Sequence, residues 1–372
     1  MGRLGVYIHI PFCIRKCNYC DFCSFPDRDG SAMREYCDEL CRRMRDFVEK
    51  KGRREVDTVY FGGGTPSLLP TECFERLFEA LHECFSIDTD AEITVECNPA
   101  TVSRESLTSL RLLGVNRLSI GLQSANENEL RTLGRLHSFG ELCESFRLAR
   151  AVGFDNISLD LMYGIPEQTL ESFEYSLLRV CELAPEHISA YGLKIEDGTA
   201  FGRMRDRLSL PDEDEEYEMY TLCRRLLEAH GYERYEISNF AKSGYESRHN
   251  MRYWKLEDYI GFGVAAHSSI DGERFGNSRD ISAFLRGEDI VEERYSVDAE
   301  ERCREYVMLG LRLGKGISDS EYRAMCGRGL LEDMPQIEKF VSAGYLVKSG
   351  ERVAFSDKGF FVSNAILSEL LN

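Results

Sequence analysis

Short apolar runs rich in β-branched residues recur through the first half of the chain, and a helical pattern follows each of them. The runs are GVYIHIP from residue 5, VDTVYFG from 56, EITVECN from 92, RLSIGLQ from 117, NISLDLMYG from 156 and HISAYGL from 187. Between them lie amphipathic stretches such as SAMREYCDELCRRMRDFVEK, TECFERLFEALHECF and LESFEYSLLRVCEL. Repeated strand–helix alternation predicts a parallel sheet with helices outside, either an open doubly wound sheet or a partial (β/α) barrel. Both architectures put working residues just beyond the C-terminal ends of the strands.

Polar groups and glycines stand at those ends in every case. Strand one runs into a loop with Cys13, Cys17, Cys20 and Cys23, and strand two into GGGTP (Gly62 to Pro66). Strand three ends at Glu96 and Asn98, and strand four at Gln123. Strand five carries Asp160, and strand six is followed by Tyr191 and Lys194. Six such ends would meet at one mouth. That convergence weighs more than any one motif.

After about residue 205 the alternation stops. PDEDEEYEMYTLCRRLLEAHGY reads as a helix with an acidic first turn, whose charges suit a helix N-terminus. A less regular region follows to residue 296 and holds RHNMRYW and GFGVAAHSS. The tail, 297–372, reads as helices, the hairpin YLVKSGERVAFS and a last helix, an order that resembles a winged-helix domain. The expected division is 1–205, 206–296 and 297–372, with the tail docking or covering rather than binding DNA.

Composition narrows the partners. The net charge of −18 repels phosphate backbones, which excludes nucleic acid as the main partner. No run of about 18 apolar residues marks a membrane span, and MGRLGVYIHIPFC lacks the apolar stretch of a signal peptide. A soluble cytoplasmic protein with no membrane insertion is expected. A homodimer is compatible with that setting, although no segment specifies one. Of the 14 cysteines, ten, including Cys73, Cys84, Cys143 and Cys181, are scattered and read as small buried hydrophobes. In such a compartment they should be reduced.

The cysteine loop differs. A structural zinc usually joins two separated ligand pairs, whereas these four thiols share one short loop with spacing C-x3-C-x2-C-x2-C. Closely set soft thiolates suit an iron–sulfur cluster. With four ligands every iron is closed, as in an electron carrier. With Cys13, Cys17 and Cys20 alone, one iron stays open, and Cys23 is either a spare thiol or an additional ligand of the resting cluster.

The C-x3-C-x2-C spacing, Tyr19 before the third cysteine and GGGTP after strand two resemble the radical SAM superfamily. The resemblance implies a partial (β/α)6 barrel, a 4Fe–4S cluster and S-adenosylmethionine (SAM) chelated at the open iron. YIHIPFC, FGGGTPSLL, ECNP, RLSIGLQS, LGRLHS, SLDLMYGIPEQT and ISAYGL extend it over essentially the whole chain. They are similar to the line that contains oxygen-independent coproporphyrinogen III oxidase and the HemW-type heme chaperones. By that resemblance the SAM contacts fall on Tyr7, Tyr19, Gly63, Gly64, Thr65, Glu96, Gln123, Arg135, Asp160 and Lys194.

Three features point to the chaperone branch. Only twelve residues precede Cys13, where the oxidase carries an additional segment, and Phe22 stands where the oxidase keeps an extra cysteine. HNMRYW (His249 to Trp254) matches that branch's HNxxYW motif, and GFGVAAHS (Gly261 to Ser268) matches its glycine-rich segment. The resemblance implies heme binding and delivery to respiratory haemoproteins at the membrane, with a heme donor such as bacterioferritin. His249 is the first candidate for an axial ligand and His267 the second, with Tyr253 and Trp254 offering apolar faces to the porphyrin. The rival expectation is an oxidase that decarboxylates coproporphyrinogen III to protoporphyrinogen IX.

Overall fold

The computed structural model describes residues 2–27 and 30–371. Six strands, β1 (Leu4–Ile10), β2 (Glu55–Gly63), β3 (Ser86–Cys97), β4 (Arg117–Gln123), β5 (Ile157–Tyr163) and β6 (His187–Gly192), pair in parallel and in chain order. The crossovers carry α1 (Ser31–Lys51), α2 (Thr71–Cys84), α3 (Arg104–Leu112), α4 (Glu127–Leu133), α5 (Phe139–Val152) and α6 (Leu170–Leu183). Sequential order puts every right-handed crossover on the same face of the sheet. The result is the partial (β/α)6 barrel, not the doubly wound alternative.

Side-chain alternation along each strand sorts the two faces. Val6, Ile8, Val59, Phe61, Leu118 and Leu159 belong to the large apolar core that includes the buried faces of the helices. The other face turns inward and is polar or aromatic. Tyr7 pairs with Tyr60, Tyr60 with Thr94, and Thr94 with Arg117 across successive strands.

The segment 206–296 completes both flanks. After α7 (Glu213–Ala229), β7 (Glu233–Arg234) pairs with β8 (Asn239–Ala241), which runs antiparallel along β6. On the other side β9 (Tyr259–Phe262) lies parallel to β1, followed by antiparallel β10 (His267–Ile270), β11 (Glu273–Asn277) and β12 (Val291–Ser296). The sequence pattern here is less regular than in the first half. Its strands are short, and barrel edges distant in sequence supply much of their pairing.

The HNMRYW segment forms α8 (Arg248–Trp254), which plugs the N-terminal end of the barrel. The Glu92 carboxylate on β3 accepts the backbone N–H groups of Arg248 and His249 at 3.0 Å, satisfying donors that the first helical turn leaves free. Arg252 is 3% exposed. Its Nε donates to Asp57 on β2 at 3.0 Å, and Nη1 donates to the carbonyls of Arg3 and Asp258 at 3.1 Å. One guanidinium thus ties β1, β2 and the lead into β9 to the plug.

A second apolar cluster gathers residues from Cys303 to Leu370 around a three-stranded antiparallel sheet of β13 (Ile317–Ser318), β15 (Arg352–Phe355) and β14 (Leu346–Ser349). Two of the scattered cysteines depart from the expectation of free thiols. Cys303 and Cys326 form a disulfide, because the helices at Ala299–Gly310 and Asp319–Cys326 bring their Cα atoms to 5.9 Å. Cys73, Cys84 and Cys143 are buried free thiols, and Cys181 is half-buried. Among the described residues no helix is long and apolar enough to cross a membrane.

Arg252→Met should strand Asp57 and two carbonyls. Breaking a buried ion pair from one side costs about 3–5 kcal/mol, so the urea midpoint should fall clearly. Adding Asp57→Asn should recover part of the loss. An unchanged midpoint in the single variant would show that the plug is held by other contacts.

Candidate functional site

The cysteine loop is seated by backbone. Gly64 N–H donates to Ile10 O at 2.9 Å and Thr65 N–H to Phe12 O at 2.8 Å, which lays GGGTP against the end of β1. A Cβ on Gly64 would stand 2.7 Å from Phe12 O and 2.9 Å from Phe12 N, both backbone atoms that cannot swing away. Glycine there is a condition for holding the loop. Further along, Cys13 N–H donates to Phe25 O at 3.1 Å and Asn18 N–H to Leu133 O at 3.0 Å, with Asn18 Nδ2 on Thr132 O at 2.8 Å.

This loop and the strand ends enclose a cavity of about 350 Å³. Cys13, Cys17 and Cys20 line it, half-buried, together with Tyr19 from the same loop. Gly63, Gly64 and Thr65 enter from β2, Glu96 from β3, Gln123 from β4, Arg135 from the turn after α4, and Asp160 from β5. Of the ten expected SAM contacts, only Tyr7 and Lys194 lie elsewhere. Tyr7 is enclosed in the barrel, stacked near Tyr60 and His249, with its hydroxyl 3.0 Å from His9 Nδ1. Lys194 points into solvent and pairs with Glu196 at 2.5 Å.

Cys23 also departs from the group. It is 7% exposed, belongs to the apolar core and does not line the cavity. Its thiol lies 3.8 Å from the carbonyl of Arg279, so the added-ligand expectation finds no support in its placement. Burial pushes the Cys20 thiol up, and the neighbouring Cys17 and Cys13 thiols add to that. Three soft thiols set this close together suit a metal cluster. Thr65 Oγ1 sits 3.4 Å from Cys13 Sγ, and Arg135 Nη1 donates to Cys17 Sγ at 3.6 Å.

The opposite wall carries two carboxyls, Glu96 and Asp160. Glu96 accepts the Tyr60 hydroxyl at 2.8 Å and Gly63 N–H at 3.1 Å. Burial, with the Asp160 charge adding to it, pushes Glu96 up to about 7. Burial also raises Asp160, opposed by hydrogen bonds from Ser189 and Ser119 and by Arg117. Two carboxyls that are costly to ionise alone favour a ligand that brings positive charge. Gln123 holds a left-handed backbone (φ 75°), an uncommon state for a non-glycine residue that recurs at ligand sites. Ser119 and Met162 also line the cavity and were missed, although strand alternation places each beside an inward neighbour.

A second cavity, of about 570 Å³, opens between the barrel flank and the C-terminal cluster. Tyr253, Trp254 and Tyr259 form walls, Leu309 and Arg312 come from the C-terminal side, and Tyr191 belongs to both cavities. The expected axial ligands are not presented to it. His249 is 1% exposed. Its Nδ1 is 2.9 Å from Thr58 Oγ1 and its Nε2 is 2.8 Å from the Tyr253 hydroxyl, so neither nitrogen is free. Burial pushes it down to about 3. His267 is exposed on β10 and lines a separate surface hollow with Glu292 and Glu293. The sequence motif was legible, but which of its atoms face a cavity was not. In GFGVAAHS the glycines serve close packing: a Cβ on Gly263 would meet the Tyr36 hydroxyl at 2.3 Å and His9 O at 2.8 Å.

Gly64→Ala should push the cysteine loop off β1. Iron and sulfide bound per chain after anaerobic reconstitution should fall below half, with faster labelling of the loop thiols. Wild-type iron content in that variant would refute the seating role.

The radical SAM superfamily model matches residues 7–180, and the HemN C-terminal domain model matches 297–362. The chain is 37% identical over 378 residues to the heme chaperone HemW of Bacillus subtilis, covering 99% of each. It is 36% identical to that of Escherichia coli, covering 99% of this chain and 98% of the relative. The solved structure of coproporphyrinogen III oxidase (HemN) from Escherichia coli, a radical SAM enzyme, superposes with a TM-score of 0.87 at 25% identity, covering 98% of this chain and 89% of that one. Likeness of this degree across the whole length, together with three thiols and two carboxyls around one barrel mouth, places the chain in the radical SAM superfamily and, within it, in the HemW family.

Proposed function

We propose that this protein is a heme chaperone built on a radical SAM frame, which binds a 4Fe–4S cluster, SAM and heme and passes heme to respiratory haemoproteins. The observation that carries the reading is the pair of cavities joined at Tyr191, one lined by thiols and carboxyls and the other by aromatic rings. Heme delivery draws on the name that the relatives carry, heme chaperone, and a donor such as bacterioferritin on the sequence resemblance alone.

In this reading Cys13, Cys17 and Cys20 hold the cluster and Cys23 stays in the core. Bound there, the cluster supplies an open iron for the amino and carboxylate groups of SAM and an electron source beside its sulfonium. Glu96 and Asp160 face the cationic parts of that ligand, Arg135 faces its carboxylate, and Tyr19 and Gln123 wall the site against water. Tyr253 and Trp254 take the flat faces of heme, and His249 fixes the Tyr253 hydroxyl from within the barrel. His267 stands apart from that cavity and has no part in it.

Reconstituted protein should bind hemin at one per chain and give no protoporphyrinogen from coproporphyrinogen III with SAM and reductant, by mass spectrometry. Multiple turnovers would make it the decarboxylating enzyme instead.

Glu96 gives a pH test. A carboxyl held up to about 7 is neutral below that value and anionic above it. Affinity for SAM should therefore rise as pH climbs through about 7. Measured over the same range, Glu96→Gln removes this rise, and the comparison cancels the ligand's own titration. Parallel pH profiles for the two proteins would take Glu96 out of the site.

A further inference from the structure

The charged side chains that line the aromatic cavity are Glu236, Glu257, Arg274 and Arg312. The protein itself answers the first three. Glu236 is hydrogen-bonded by the Asn239 side chain and by the backbone N–H groups of Ile237, Ser238 and Asn239. Glu257 lies 3.5 Å from the Arg252 guanidinium, and Arg274 donates to Glu305 at 3.1 Å. Arg312, half-buried, stands differently. Its Nη2 donates to the side-chain oxygen of Asn364 at 3.0 Å, and among the described residues no carboxylate lies within ion-pair distance of it. Burial lowers its pKa, and no neighbouring charge offsets that. Taking a charge out of water is costly unless it is paired, so a cation left in this state on a cavity wall points to an anionic ligand.

The backbone around Arg312 is pinned on both sides. Leu311 is fully buried in the C-terminal cluster, and Leu313 bridges to Glu236. Gly314 N–H then donates to Tyr235 O at 2.9 Å. The other walls of the cavity include the rings of Tyr253, Trp254 and Tyr259. Among the described residues no histidine, cysteine or methionine lines it. Burial raises the hydroxyls of Tyr191, Tyr253 and Tyr259, which disfavours the phenolate that an iron would bind. The cavity thus offers a cation and flat rings but no ready ligand for a metal.

A porphyrin carries the complementary groups, two carboxylates at one edge of a flat apolar body. We propose that Arg312 pairs with a carboxylate at the porphyrin edge, and that this cavity recognises its ligand by that carboxylate and by its flat faces, not through the metal. The assignment rests on the heme-binding reading above and names what that site reads. A guanidinium has five N–H donors in a planar fork that matches a carboxylate. Asn364 takes one of them and orients the rest. No bond to iron forms or breaks, so a ligand held this way is released without exchange at the metal.

The test is titration of the cluster-loaded full chain with hemin, with metal-free protoporphyrin IX and with the dimethyl ester of protoporphyrin IX. Quenching of Trp254, the single tryptophan of the chain, reports occupancy of the cavity. A hydrogen bond to a charged group is worth about tenfold or more in affinity, so the ester should bind about tenfold more weakly than the free acid. Hemin should bind within about threefold of the metal-free acid, a difference well under 1.4 kcal/mol. Arg312→Met should weaken the free acid about tenfold and leave the ester unchanged, and the unchanged ester is the control for folding. An equal loss for acid and ester in that variant would make Arg312 structural and overturn the proposal. An ester that binds wild type as tightly as the acid would overturn it too, and so would hemin binding more than about tenfold tighter than the metal-free acid. Each of those results leaves heme binding standing. A wild-type protein that takes up none of the three overturns the heme reading as well.

Discussion

The inward face of this barrel is polar, and its groups must find partners where bulk water does not reach. Tyr7, Tyr60, Thr94 and Arg117 share neighbouring register positions on β1 to β4, and Ser158 and His187 continue across β5 and β6. Many of the partners come from outside the first six strands. His249 from α8 reaches Thr58, the Tyr235 hydroxyl is 2.8 Å from His187 Nε2, and His187 Nδ1 is 2.7 Å from Ser158. The extension after residue 205 is therefore part of the barrel's internal chemistry rather than an appendage. A six-strand fragment would expose these groups through its open flank.

The same arrangement explains why HNMRYW is a structural motif before it is a ligand motif. The histidine and arginine of the motif point into the barrel base, and Tyr253 and Trp254 face outward to the cavity. His249 holds the Tyr253 hydroxyl, so the buried half of the helix sets the orientation of an exposed wall. A short helix can do both because His249 and Tyr253, four residues apart, share one face, along which the buried imidazole reaches the hydroxyl at the cavity wall.

Two environments with opposite electrostatic needs are kept apart within one flank. The thiol-lined mouth gathers anionic groups and favours a cationic occupant. The aromatic cavity sets Arg312 among the rings of Tyr253, Trp254 and Tyr259. Tyr191 belongs to both, which makes it the physical boundary between them.

Much of this was present in the linear sequence. The six strands, their parallel order and the convergence of Cys13, Cys17, Cys20, Glu96, Gln123 and Asp160 follow from periodicity and from the rule that ligands meet at strand C-termini. These are local patterns combined with a chiral constraint on crossovers, and both can be read from one chain. Other features could not be read because they depend on which atoms meet across long separations. Residues 58 and 249 meet only after the barrel forms, and that meeting removes His249 from the free ligands. Cys23 turned toward the core, Lys194 toward solvent, and Cys303 found Cys326 through the packing of two helices. Sequence determined the strand–helix frame and which residues stand at its strand ends, because local periodicity specifies them. Tertiary structure decided which side chains remain free to act, because freedom is set by burial and by partners supplied from elsewhere in the chain.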